Sequence, residues 1–170
     1  AFFDSLTQLP NRRLFNDRLG QAVKRAQRTS SSLALMFVDL DKFKPVNDTY
    51  GHAAGDFMLQ TVAKRLSGCL RSSDTAARVG GDEFLVLLPD IPSGADALAV
   101  AEKIRSALAE PCISPEGIEL CISASIGIAI YPEHAGSEHE LLRLGDRAMY
   151  EAKSAGGNRV KLFSPEDGAG

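Results

Sequence analysis

The sequence has no tryptophan, only three cysteines, and a formal charge of just −3 over 170 residues. So weak a net charge offers no basic field to hold a nucleic-acid polymer, and that partner class is set aside. Cys69, Cys112 and Cys121 are odd in number, widely spaced and free of any C-x-x-C pair. They suggest neither a zinc site nor a disulfide framework, and read as buried free thiols of a reducing compartment. No apolar run approaches the roughly 20 residues that span a bilayer. No charged segment leads into an apolar one, as a signal peptide requires. Internal repeats and low-complexity tracts are also absent. Length and composition fit one domain, 1–170 with a core over about 4–163, able to bury a substantial interior. The chain starts inside a motif and ends in the polar Ser164-Pro165-Glu166-Asp167-Gly168-Ala169-Gly170, so a domain excised from a longer protein is expected.

What is present centres on Arg78-Val79-Gly80-Gly81-Asp82-Glu83-Phe84, followed by the apolar Leu85-Val86-Leu87-Leu88. Adjacent glycines between two apolar segments predict a tight hairpin, because glycine reaches φ > 0 without steric cost. Gly80 and Gly81 also leave room for a ligand to approach the backbone. Asp82 and Glu83 set two mutually repelling carboxylates beside that gap, which suggests a bound cation; a plain turn with solvated acids fits the same residues. Leu33–Val38 is a continuous apolar run, as for a strand covered on both faces, and it ends in Asp39-Leu40-Asp41. A carboxylate at the end of a buried strand is costly unless it is paired or binds metal. If this strand lies beside the hairpin, Asp39, Asp82 and Glu83 converge. Hard oxygen donors of this kind suit Mg²⁺ completed by substrate phosphates, the arrangement that nucleotidyl transfer needs.

Helical stripes recur at Phe15, Leu19, Ala22, Val23 and Ala26; at Leu59, Val62, Ala63, Leu66 and Leu70; at Ala97, Val100, Ala101, Ile104 and Leu108; and at Leu141, Leu144, Ala148 and Ala152. A short helix is expected near Phe43–Asp48, followed by a loop at Tyr50-Gly51-His52. Strands are expected at Leu33–Val38, Thr75–Val79, Phe84–Leu88, Ile122–Ile130 and Val160–Phe163. The fourth of these alternates bulky and small residues. This order predicts an α+β fold, a mostly antiparallel sheet with helices packed on it.

Several ordered motifs then resemble one family, the GGDEF domains or diguanylate cyclases. Beside Gly80–Phe84 stand Asp4-Ser5-Leu6-Thr7-Gln8-Leu9-Pro10-Asn11-Arg12, Asp39–Asp48, Gly51-His52-Ala53-Ala54-Gly55-Asp56, Ser125-Ile126-Gly127 and Ala148–Lys153. The resemblance covers about residues 4 to 160. It implies a ferredoxin-like core similar to a polymerase palm or class III nucleotide cyclase. It implies condensation of two GTP into cyclic di-GMP and two pyrophosphates, by a homodimer with Mg²⁺ or Mn²⁺. It assigns metal to Asp39, the Leu40 carbonyl and Asp82, with Glu83 as a further ligand or base. Asp39, Asp82 and Glu83 are thus the catalytic candidates.

By the same resemblance Asn47 and Asp56 read guanine, with His52 a weaker candidate. The alternatives are a turn or cap for Asn47, a helix N-cap for Asp56 and a structural loop role for His52. Lys44 and Lys153 match phosphate contacts, with Gly80 and Gly81 lining the substrate. Arg71 and Asp74 match an inhibitory product site; a helix-end salt bridge would give the same pair. The family commonly has arginine where this chain has Gly157, which leaves that phosphate contact weakened or moved to Arg159. The resemblance further implies a cytoplasmic domain, sensory or phosphodiesterase neighbours, and a full-length protein that is either free or membrane-anchored. A low-activity GTP-binding regulatory module, or a cyclic di-GMP receptor, is the alternative function.

Overall fold

The computed structural model describes residues 1–165; the rest of the polar tail lies outside the described residues. Helix α1 (Arg12–Thr29) leads into β1 (Leu33–Asp41), and two helices follow, α2 (Phe43–Tyr50) and α3 (His52–Gly68). The hairpin strands are β2 (Thr75–Gly80) and β3 (Glu83–Leu88). After α4 (Gly94–Ala109) comes a small separate hairpin, β4 (Cys112–Ile113) and β5 (Glu119–Leu120). Strand β6 (Ser123–Tyr131), helix α5 (Glu138–Ser154) and strand β7 (Arg159–Leu162) complete the chain.

The main sheet runs β2-β3-β1-β6-β7, antiparallel except where β7 joins β6 in parallel. Strand β1 is central, and that explains its unbroken apolar run. Ala34, Met36, Val38 and Leu40 pack into the layer holding Leu59, Val62 and Leu66 of α3 and Ala97, Ala101 and Ile104 of α4. Leu33, Leu35 and Phe37 join the opposite layer, with Phe15 and Leu19 of α1 and Leu141, Leu144 and Met149 of α5. Each large side chain so buried contributes about 1.5–3 kcal/mol. At its open end α1 is capped by Asn11, whose side-chain oxygen accepts from the Leu14 amide at 3.1 Å.

The two faces of β6 differ for a packing reason. Ile126, Ile128 and Ile130 fill the first layer, while the small face seats α5. A Cβ on Gly127 would lie 2.1 Å from the Met149 amide nitrogen and 2.4 Å from the Gly145 carbonyl oxygen.

Several expectations are corrected. Helix α3 begins at His52, because Gly51 alone, at φ +91°, separates it from α2. Asp56 therefore lies inside α3 and caps nothing, and His52 opens a helix rather than sitting in a loop. The thiols are free, but Cys69 and Cys112 are half-buried and Cys121 is exposed. Strand β5 ends at Leu120, whose side chain takes the inward position, so the next residue turns outward. Neither Gly80 nor Gly81 has positive φ. Their value is space: a Cβ on Gly81 would meet nothing within 4 Å, and one on Gly80 only the Glu83 carboxylate at 3.8 Å.

Candidate active site

The hairpin tip, the end of β1 and the end of α5 meet at one edge of the sheet. Antiparallel pairing sets Asp39 opposite Glu83 on β3 and opposite Ser125 on β6. The Leu40 amide donates to the Asp82 carbonyl oxygen at 3.2 Å, fixing the hairpin to β1. The predicted convergence of Asp39, Asp82 and Glu83 is thus a matter of register. Burial pushes the Asp39 carboxyl up to about 6, helped by the charges of Asp82 and Glu83 and opposed by Lys153. Its Oδ1 is buried without a hydrogen-bond partner.

An orphaned carboxylate oxygen among repelling acids fits a divalent cation. Yet among the described residues no three His, Cys, Asp or Glu side chains are grouped closely enough to hold one alone. Backbone and phosphate oxygens must complete such a shell, as suits Mg²⁺.

Lys153 reaches this edge from the last turn of α5. Its Nζ lies 3.5 Å from Asp39 Oδ2 and 3.3 Å from Asp41 Oδ1, and donates to the Leu40 carbonyl at 3.3 Å. Asp41, to which the sequence gave no role, is a clamp. It accepts from Ser123 Oγ at 2.6 Å, Ser125 Oγ at 2.7 Å and the Asn158 amide at 2.8 Å. Burial would raise its carboxyl, but these hydrogen bonds and Lys153 outweigh burial and hold it below the usual carboxylate range.

Gly157 packs on the same carboxylate: a Cβ there would come within 3.0 Å of it, at φ +74°. Arg159 does not reach over to replace the missing arginine. Its Nε donates back to the Gly157 carbonyl at 3.0 Å.

The N-terminal motif also braces the hairpin. Arg78 donates from Nε to the Gly81 carbonyl at 2.9 Å and from Nη1 to Asp4 Oδ1 at 3.0 Å. Asp4 is itself held by the Thr7 amide at 2.9 Å and the Thr7 hydroxyl at 2.7 Å. No local signal could have revealed a pair so distant in sequence.

The predicted base-reading residues lie on α2 and α3. Asn47 is half-buried and Asp56 exposed. A Cβ on Gly55 would sit 1.8 Å from Asn47 Oδ1, so the bare glycine backbone seats the carboxamide next to Asp56. Lys44 and His52 are exposed near the starts of α2 and α3.

Arg71 and Asp74 stand at the far end of β2 from the hairpin. Arg71 Nη2 bonds Asp74 Oδ1 at 2.8 Å and the Pro89 carbonyl at 2.8 Å, while the Arg71 amide donates to Asp74 Oδ2 at 2.7 Å. The helix-end ion pair is therefore what this fold contains, with the arginine still half open to solvent. Asp74 also borders a surface cleft of about 510 Å³, together with Arg18 and Arg25.

The raised Asp39 carboxyl has a pH signature. Between about pH 4 and 6 the folded chain keeps a proton that the unfolded chain has lost. Stability of the metal-free domain is therefore expected to fall as pH rises through that window and level off above it. Asp39→Asn is expected to raise metal-free stability at pH 8 by about 1–2 kcal/mol, and to make no difference below about pH 4. Thermal melts of both proteins across pH check this; a less stable variant at pH 8 contradicts it.

A palm-like α+β domain, with a Gly-Gly hairpin set against an acidic strand end, is the class this architecture defines. The family model "Diguanylate cyclase, GGDEF domain" matches residues 1–159. The chain belongs to the GGDEF domain family. Diguanylate cyclase TpbB of Pseudomonas aeruginosa is 49% identical over 153 residues, covering 90% of this chain and 35% of TpbB. The solved GGDEF domain of TpbB superposes with a TM-score of 0.95 at 46% identity, over 98% of this chain and 96% of that one. The bifunctional diguanylate cyclase/cyclic di-GMP phosphodiesterase MucR of the same species is 50% identical over 164 residues, 96% of this chain and 24% of MucR. The GGDEF domain of DgcB from Caulobacter crescentus, solved in complex with c-di-GMP, gives a TM-score of 0.88 at 31% identity, over 95% of each chain. The chain spans about a third or less of the length of these two curated relatives. Among the described residues no helix is long and apolar enough to cross a membrane.

Proposed function

We propose that this domain is a diguanylate cyclase. The carrying observation is Asp39: buried, paired in register with Glu83, pushed up to about 6, and left with an orphaned oxygen at the hairpin edge. Asp39, the Leu40 carbonyl and Asp82 would hold a Mg²⁺ or Mn²⁺ ion, with Glu83 adjoining. Such an ion supplies neutralisation of phosphate charge and acidifies a nearby hydroxyl. The 3′-hydroxyl of one GTP attacks the α-phosphorus of another, and pyrophosphate leaves. A second attack in the opposite direction closes the ring. The attacking proton passes to the Asp82–Glu83 acids, which titrate as a coupled group. Each domain presents one GTP, so two copies must face each other. Incubation with GTP and Mg²⁺, followed by chromatography for cyclic di-GMP, tests the reading.

Asn47 and Asp56 would read guanine: a carboxylate accepts from N1–H and the 2-amino group, and a carboxamide both donates and accepts. Gly55→Ala is expected to expel the Asn47 carboxamide and weaken GTP binding about tenfold or more, while ATP binding, already poor, changes little. Calorimetric titration with both nucleotides measures this. Unchanged GTP affinity, or equal GTP and ATP binding by the native domain, contradicts it.

Product would bind at Arg71 and Asp74, remote from the hairpin, so inhibition is expected to be non-competitive with GTP. The TpbB relatives and the c-di-GMP complex of DgcB support a family surface of this kind. Arg71→Ala is expected to weaken cyclic di-GMP binding ten- to a hundredfold, roughly, and to spare turnover at low product. If the pair is only a salt bridge, the variant instead melts lower and is inhibited normally.

Gly157 and the retracted Arg159 favour a second reading, a GTP-binding regulatory module attached to another signalling domain. Absence of turnover with retained GTP binding would select it.

A further inference from the structure

The acids at the hairpin edge already have a cation, and it belongs to the protein. Lys153 Nζ sits within 3.5 Å of Asp39 Oδ2 and donates at 3.3 Å to the Leu40 carbonyl and Asp41 Oδ1. Two of those three groups, Asp39 and the Leu40 carbonyl, are groups the cation-assisted reading gives to metal. The third, Asp41, is locked by Ser123, Ser125 and the Asn158 amide, so it does not move with its lysine.

We propose that Lys153 is a resident counter-ion that occupies the metal-binding oxygens of Asp39 and Leu40 until a divalent cation displaces it, with Asp41 as the fixed arm that keeps it within reach. This rests on the cation-assisted reading of the site. Two geometric facts support it beyond the ion pairs. First, α5 is seated on β6 at Gly127 with backbone-to-backbone closeness, which fixes the height of its last turn. Second, Lys153 is only partly covered, at 32% side-chain exposure, so its flexible stem can swing outward without unpacking the helix. Without a counter-ion Asp39 would face Asp82 and Glu83 in a half-desolvated site, where like charges repel most strongly. With one, the domain tolerates the metal-free state. The displaced ammonium is then free for the phosphates of the arriving nucleotide. One lysine would thus oppose metal alone and favour metal with nucleotide.

The test separates these two signs. Mn²⁺ alone is titrated into the native domain, Lys153→Met and Lys153→Arg at constant ionic strength, with binding read by the paramagnetic resonance of free Mn²⁺. A unit charge removed at this distance corresponds to about a fivefold change. Lys153→Met is therefore expected to bind Mn²⁺ about fivefold more tightly than the native domain, while GTP binding in the presence of Mn²⁺ weakens. Lys153→Arg keeps the charge and is expected to stay within about twofold of native for Mn²⁺ alone. Metal-free Lys153→Met is expected to melt lower than native and to recover more on adding Mn²⁺. Equal or weaker Mn²⁺ binding by Lys153→Met overturns the proposal, as does no measurable Mn²⁺ binding by that variant. Either result with cyclic di-GMP still formed by the native domain would leave the proposed function standing; loss of both would remove the cation-assisted reading itself.

Discussion

Glu83→Gln is expected to yield a folded domain that makes cyclic di-GMP at least about a thousandfold more slowly than the native chain. The substitution is nearly isosteric and half-buried, and it removes one of two repelling charges opposite Asp39. Nothing in the core depends on that charge, so the melting temperature is expected to hold or rise. The chemistry does depend on it. A carboxylate that accepts the hydroxyl proton is worth roughly a hundred- to ten-thousandfold, and an amide cannot accept it. Product chromatography beside a thermal melt measures both sides. Native-like turnover in a folded Glu83→Gln domain would remove Glu83 from the mechanism.

Gly127→Ala is expected to cost about 3–5 kcal/mol, a large part of what holds a domain of this size together. The added methyl would meet backbone at 2.1 Å (Met149 nitrogen), 2.4 Å (Gly145 oxygen) and 2.7 Å (Ala148 carbon). A side chain could turn aside, but a helix backbone cannot. α5 must lift off β6, loosening Leu141, Leu144 and Met149 in the layer below and dragging Lys153 away from Asp39. Gly136→Ala is the control, since its Cβ would meet nothing within 4 Å. Denaturant unfolding of both variants measures the difference, and equal stability would contradict the close-packing account.

Much of this was written in local pattern. The double-faced burial of β1 shows as an uninterrupted apolar run because the strand is central. The alternation in β6 shows as bulky and small residues because one face meets two helices and the other seats α5 almost in backbone contact. The acidic site was legible because Asp39 ends an apolar strand, and register then brings it to Glu83. The resemblance, not the pattern, supplied the guanine and product residues.

What stayed hidden depends on contacts between residues distant in the chain. Asp41 lies in a quoted motif, yet its anchors, Ser123, Ser125 and Asn158, come from β6 and the turn before β7. The Asp4–Arg78 brace is hidden for the same reason. Asp56 was offered as a helix cap because Gly51 and Gly55 looked like loop; in fact α3 runs through Gly55, which is glycine to admit Asn47. Gly80 and Gly81 were credited with a left-handed turn they do not make, and what they supply is open space beside Asp82 and Glu83.

The most direct measurement is the fate of GTP. The domain is incubated with GTP and Mg²⁺ over a range of protein concentrations, and both cyclic di-GMP and pyrophosphate are quantified by chromatography. The account predicts two pyrophosphates for each cyclic di-GMP, and a rate per domain that rises with protein concentration because two copies must meet. No cyclic di-GMP at any concentration, with GTP bound but intact, would contradict it.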